Sequence, residues 1–144
     1  VRPAFGLCGL VTVVVKKIIL QVVEDPGGFG HALLSGEQID NKTTMIAIND
    51  DYPDGRDVSW LWDVDFSSLE RNEILTSGVR AADMALRLKY DDIQTAYYGQ
   101  GLQKCLIELE KRLRPGEVGL IYATYTAMLE LRQHMAGLTE VEKV

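Results

Sequence analysis

The sequence predicts an α/β three-layer sandwich built on a mostly parallel sheet, and three observations predict it. Runs rich in Val and Ile alternate with segments of helical period, the order expected of strands joined by helices. Those runs are apolar along their whole length rather than at every second position, as strands covered on both faces are. The chain of 144 residues is 47% hydrophobic, enough to bury one core and short for two, since the commonest domain size is about 100–150 residues.

Taken in order, Lys17 to Val23 reads as the first strand, stopped by the turn-favouring Asp25-Pro26-Gly27-Gly28. Phe29 to Ser35 then reads as a short helix. Thr43 to Ile48 is the second strand and runs into a polar loop, residues 49–57. Val58 to Phe66 reads as a short strand or an irregular packed segment. Glu73 to Thr76 is a strand, and Gly78 opens an amphipathic helix through Met84 and Leu88 to about Lys89. Asp91-Asp92 makes a turn before a strand from Ile93 to Tyr97. Gly101 to Leu113 carries Leu102, Leu106, Leu109 and Leu113 at helical spacing, with Pro115-Gly116 as its stop. Val118 to Ala123 is the last strand, Thr124 a candidate cap, and the final helix runs to Gly137. The tail from Leu138 is expected to be frayed. This alternation predicts right-handed crossovers, with chemistry in the loops beyond the strand C-termini. Residues 1–16 read as an N-terminal segment or linker and 17–144 as the domain.

Composition excludes several classes. With 21 acidic against 15 basic residues the net charge is -6, which disfavours nucleic acid as a partner. The most apolar run, Leu7 to Leu20, is broken by Gly9, Lys16 and Lys17, whereas a spanning helix needs about 20 nearly uninterrupted apolar residues. No transmembrane segment is expected, and the valines of that run suit a buried strand better than a signal sequence. Cys8 and Cys105 form no CxxC pair, which points to reduced thiols in a cytoplasmic protein. Cys105, inside an apparent amphipathic helix, reads as a buried inert thiol. His31 and His134 have no second ligand at metal spacing, so no metal site is expected.

The segment with chemical potential is 49–66, which crowds Asp50, Asp51, Asp54, Asp57, Asp63 and Asp65 around Arg56 and two tryptophans just after a buried strand. Crowded carboxylates must gain a cation, a hydrogen-bond donor or a raised pKa. Two readings stand side by side: a working cluster, or a solvated acidic loop whose tryptophans fill the core. Arg56 either pairs locally with Asp57 or grips an anion through its planar fork. The Gly27, Gly28 and Gly30 cluster invites a phosphate-binding reading, but there is no GxGxxG and no GxxxxGK[ST], and Glu24 and Asp25 oppose an anion; a plain turn is the favoured reading.

The run Ala47-Ile48-Asn49-Asp50, followed by Asp54-Gly55-Arg56-Asp57-Val58-Ser59-Trp60-Leu61-Trp62-Asp63-Val64-Asp65-Phe66, resembles the C-terminal domain of MurT-type members of the Mur ligase family. The stretches Ile74 to Tyr90 and Tyr122 to Leu129 resemble the same family, so the likeness covers most of the chain from about Lys17 onward. It implies a Rossmann-like sandwich of the Mur ligase C-terminal type. It also implies a share in an ATP-dependent amidation, in which the α-carboxyl of the D-glutamate in lipid II is activated and attacked by ammonia to give D-isoglutamine. The ammonia would come from a GatD-type glutaminase subunit docked on this domain. ATP and Mg2+ would serve the complete enzyme, with neither expected on this domain alone.

The resemblance assigns an essential acidic residue to the Asp-Gly-Arg-Asp loop, either Asp57 or, second, Asp54, as an aid to the partner's Cys/His centre or to ammonia delivery. A carboxylate in that role need only stay ionised within hydrogen-bond reach of a histidine. Asn49, Asp50, Arg56, Trp60 and Asp63 are the residues expected to bind substrate or partner, the Asn49-Asp50 turn facing the nucleotide when the domain closes. There are departures from the family pattern. Glu24-Asp25-Pro26-Gly27-Gly28-Phe29 stands where the family has a Lys-Asn-Pro-x-Gly-Phe turn, Val1 to Lys16 does not match the expected arginine-bearing linker, and the nucleotide loop and zinc insertion of a central domain are not within these residues. The competing function is a stand-alone flavodoxin-like interaction module that binds a protein through Tyr97-Tyr98 and Trp60-Trp62.

Overall fold

Thr43–Ala47 forms the middle strand, β3, of the sheet because all five of its residues are buried, which a strand flanked by strands and covered on both faces requires. The computed structural model describes residues 11–13, 17–39, 43–138 and 141–143. Around β3 lie β2 (Lys17–Val22), β4 (Glu73–Ser77), β5 (Thr95–Gly99) and β6 (Val118–Ala123), in the order β2-β6-β3-β4-β5 and all parallel.

Helices α1 (Pro26–Glu37) and α2 (Ala81–Lys89) cover one face of the sheet. Ile19, Ile46, Ile74, Leu120 and Tyr122 of the sheet meet Phe29, Leu33, Met84 and Leu88 there. Helices α3 (Leu102–Arg112) and α4 (Tyr125–Leu138) cover the other, where Ile18, Leu20, Met45, Leu75 and Ile121 meet Leu106, Leu109, Ala127 and Leu131. The architecture is thus the three-layer sandwich that the alternating pattern predicts, Rossmann-like as the family resemblance implies. Strands β1 (Val11–Val13) and β7 (Val141–Lys143) pair antiparallel as a separate ribbon, so the tail expected to be frayed contains a strand. The remaining residues of the predicted N-terminal segment, 1–10 and 14–16, with Cys8, lie outside the described residues.

Two boundaries differ from expectation for local reasons, and the segment 58–66, left open between a strand and an irregular packed segment, is the latter. Asp25-Pro26 does not end in a turn but starts α1: the Asp25 carboxylate accepts the Gly28 N–H at 2.6 Å as an N-cap, and Pro26 occupies the first turn, where its missing N–H costs nothing. Strand β5 begins two residues later than Ile93, because Asp92 adopts a positive φ of 59° and the Ile93 N–H is still held by the Leu88 carbonyl. The connection from β3 to β4 contains no α-helix and no strand; it is a series of three short 3-10 turns, Tyr52–Asp54, Ser59–Asp63 and Ser67–Leu69. Leu61 and Val64, three apart, fall on one side of such a turn. With Phe66 and Leu69 they fill the place beside α1 and α2 that a crossover helix would take. Phe29 anchors this filling, with Phe66 edge-on at 5.2 Å, Tyr122 at 5.5 Å and Trp60 at 6.2 Å.

Candidate functional site

Most of the connection after β3 packs in the α1/α2 layer and α4 packs in the opposite one, so the chain turns to opposite faces between β3 and β6 at the C-terminal edge of the sheet, the switch point where parallel α/β folds carry their sites. Asn49 stands there, buried to 7% exposure. Its backbone N–H donates to Thr124 Oγ1 at 2.9 Å, its Nδ2 donates to Thr126 Oγ1 at 3.1 Å, and its Oδ1 accepts the Val79 N–H at 2.9 Å. One side chain thereby ties together the ends of β3, β4 and β6. Thr124, expected to cap α4, gives its hydroxyl oxygen to Asn49 instead.

The cap of α4 comes from a distant segment. Asp54 Oδ1 accepts the Thr126 N–H at 2.8 Å, and Oδ2 accepts both the Thr126 hydroxyl and, at 3.1 Å, the Asp51 N–H. The Thr126 hydroxyl donates to Asp54 and accepts from Asn49, so the three side chains form one chain of hydrogen bonds. A carboxylate at the N-terminus of α4 also lies at the positive end of that helix's dipole. Asp50 turns the other way and takes Arg80 Nε at 2.9 Å, while Arg80 Nη1 reaches Asp83 at 3.0 Å. Asp83 and then Asp50 raise the Arg80 pKa above its usual value.

Beyond Asp54 the chain emerges. Gly55 has φ +88°, and the Arg56 guanidinium lies over the ring of exposed Tyr52 at 5.1 Å. Of the two uses anticipated for Arg56, the local pair with Asp57 is not formed; its charge stacks on an aromatic face and stays accessible. Asp57 is exposed, and its Oδ1 accepts the Ser59 N–H at 2.9 Å. That bond, with the Ser59 side chain, holds the Asp57 pKa below its ordinary 3.8, so it is ionised at neutral pH without help from Arg56. Asp65 repeats the arrangement with Ser67. Asp63, at the end of the second 3-10 turn, is exposed.

The two tryptophans divide. Trp60 is half-buried against Phe29, whereas Trp62 is 48% exposed, edge-on to Tyr90 at 4.9 Å. Tyr97 likewise packs toward the α3/α4 layer while Tyr98 is exposed. The aromatic surface of the interaction-module reading therefore reduces to Trp62 and Tyr98, joined by Tyr90 and Leu86. A groove of about 320 Å³ runs between α2 and edge strand β5, lined by Ala82, Leu86, Lys89, Ile93 and Tyr98 among others.

Other candidates settle into structural roles. The Gly28 amide meets the Asp25 carboxylate, an anion supplied by the chain itself. Cys105 is fully buried, and burial pushes its thiol pKa up to about 12, far from a reactive thiolate. His31 is exposed, and His134 Nε2 lies 3.3 Å from Glu130. Among the described residues, no three His, Cys, Asp or Glu side chains gather to hold a metal ion, and no helix is long and apolar enough to cross a membrane.

With this geometry in hand, comparison with known proteins gives a consistent result. A model of the MurT ligase C-terminal family matches residues 22–128. The chain belongs to that family. The lipid II isoglutaminyl synthase (glutamine-hydrolyzing) subunit MurT of Staphylococcus aureus (strain COL) is 35% identical over 83 residues, 55% of this chain and 19% of that protein. The subunit of the same name from Streptococcus pneumoniae (strain ATCC BAA-255 / R6) is 30% identical over 151 aligned positions, 99% of this chain and 33% of that protein. The chain thus spans a third or less of the length of these curated relatives.

The stretch matched to the MurT C-terminal family contains both halves of the site: the loop from Asn49 to Phe66 and the Thr124-Thr126 turn that receives it. Sequence reasoning singled out the first half and missed Thr126, Arg80, Asp83 and Arg87. Arg87 had a legible signal, because it lies with Ala81, Met84 and Leu88 on the buried stripe of α2, where a charge demands a partner. Thr126 had none, since its partners lie 72 and 77 residues away.

Proposed function

We propose that this chain is the C-terminal domain of an ATP-dependent ligase that amidates the D-glutamate α-carboxyl of lipid II to D-isoglutamine, with ammonia from a GatD-type glutaminase bound to this domain. Family membership supports the general role, and one structural observation carries the assignment of the site. Between an Asp54 fastened to α4 and a Trp60 packed on Phe29, the turn at Gly55 to Val58 projects an exposed, ionised Asp57 from the C-terminal edge of the sheet.

Asp54 has three donors on its two oxygens and little accessible surface, so it positions the loop. Asp57 is bonded only within its own turn, by Ser59, and faces water, the state in which a carboxylate accepts an imidazole N–H from another subunit and keeps that ring in the tautomer its cysteine needs. Arg56 and Asp63 flank it as partner-binding groups, with Trp60 supporting the turn from beneath. Asn49 and Asp50 act by holding the strand ends together.

The polar groups of Asn49, Thr126 and Asp54 are paired with one another, and Asp50, Asp51 and Asp83 lie close by in the same loops. Acidic side chains oppose a bare triphosphate, which supports a reading in which ATP and Mg2+ serve the complete ligase rather than this domain alone.

The deciding experiment reconstitutes the complete subunit with its glutaminase and measures glutamine hydrolysis and lipid II amidation together. Asp57→Asn is expected to lower both on the order of 100-fold or more, as loss of a histidine-orienting carboxylate does, with an unchanged circular dichroism spectrum. Full turnover in that variant would remove Asp57 from the site.

A further inference from the structure

Arg87 is 6% exposed, on the face of α2 that packs against the connection after β3. Its Nε donates to the Leu61 carbonyl at 3.0 Å, an Nη donates to the Val64 carbonyl, and the other Nη pairs with Asp91 at 3.0 Å. The rings of Trp62 and Phe66 stand 5.1 Å from its central carbon. A guanidinium leaves water only at a large desolvation cost, offset here by donors spent on every side. What they grip is backbone: two carbonyls three residues apart at the C-terminal end of the second 3-10 turn. Asp54 holds the other end of the same loop to α4. The free span between the two anchors is short and contains Asp57, whose own bond runs forward to Ser59.

We propose that Arg87 is a positioning residue that fixes the direction in which Asp57 is presented, acting from α2 through the Leu61 and Val64 carbonyls. This rests on the reading of Asp57 given above. The fork matters and the charge alone does not suffice, because a lysine ammonium is a point charge that cannot span both carbonyls in fixed geometry. The same guanidinium underlies Trp62, so the carboxylate turn and the exposed aromatic surface beside it share one support.

The test uses the complete subunit with its glutaminase. Arg87→Lys is expected to speed amide exchange about tenfold across residues 58–64 while β3 and β6 are unchanged, since only the local opening equilibrium shifts. Glutamine hydrolysis in the complex should lose about tenfold in kcat with KM for glutamine unaltered, as for an orienting group. The double variant Arg87→Lys with Asp57→Asn should be no slower than Asp57→Asn alone, because both act through one carboxylate. Additive losses would show that Arg87 acts elsewhere and overturn the proposal, as would wild-type turnover in Arg87→Lys. Full turnover in Asp57→Asn alone would instead remove the reading beneath it, whatever the exchange result. If Arg87→Lys does not fold, Asp91→Asn loosens the third side of the guanidinium and is expected to give a loss in the same direction of about two- to threefold; unchanged turnover in that variant also overturns the proposal.

Discussion

Asp54 and Asp57 lie three residues apart in one acidic loop, yet their surroundings give them opposite work. The carboxylate of Asp54 satisfies the Thr126 N–H, the Thr126 hydroxyl and the Asp51 N–H, all part-buried. Asp57 takes one N–H from its own turn and faces water. Asp54→Ala therefore removes a helix cap and leaves part-buried donors unpaired, for which about 2–3 kcal/mol of stability is expected to be lost. Asp57→Ala touches no tertiary contact and should change stability by about 0.5 kcal/mol or less. Urea denaturation of the two variants measures both values, and a larger loss for Asp57→Ala would reverse the assignment of which aspartate holds the loop and which is presented. The spacing of the Asp-Gly-Arg-Asp motif could not rank the two, because the residue that separates them, Thr126, is brought in only by the fold.

The crossing from β4 into α2 shows how an element is placed by a close approach. Gly78 has φ +88°, and a Cβ there would lie 2.5 Å from the Ile48 carbonyl oxygen and 2.8 Å from Asn49 Oδ1. The neighbouring Val79 and Arg80 N–H groups meanwhile bond to Asn49 Oδ1 and to the Ile48 carbonyl. Gly78→Ala is thus expected to cost about 2 kcal/mol or more, through both the strained backbone and the displaced strand end. It should also unsettle Asn49, visible as faster exchange of the Val79 amide; an unchanged urea midpoint would show that the turn relaxes freely. Strands β3 and β6 were legible as unbroken apolar runs because both their faces are buried, and α3 was legible because one buried face writes a helical period into the chain. The start of α1 was misread because Asp25-Pro26 serves equally as a turn or as a cap with a first-turn proline, and only the Gly28 N–H bond decides. The connection after β3 has no period to read, as its three short turns are held by α1 and α2 rather than by their own hydrogen-bond ladders.

At the scale of the molecule, both layers share the sheet, and β3 is its middle strand. Ile46 points into the layer containing α1, α2 and the two tryptophans, and the adjacent Met45 points into the layer containing α3, α4 and Cys105, both fully buried. A chain of this length with one sheet between two shared cores is expected to unfold as a unit, because neither layer keeps a surface to pack on once β3 leaves. Ile46→Ala and Met45→Ala should each cost about 2–5 kcal/mol. Each should also move two probes together: tryptophan fluorescence, which reports the first layer, and thiol labelling of Cys105 in a Cys8→Ser background, which reports the second. Because the site's hydrogen bonds join Asn49, just past β3, to Thr124 and Thr126, just past β6, the site should come apart in the same transition rather than before it. If Ile46→Ala shifted the fluorescence midpoint and left thiol labelling behind, the layers would be separate folding units. Asp57 would then be carried by the weaker of the two, not by the whole sheet.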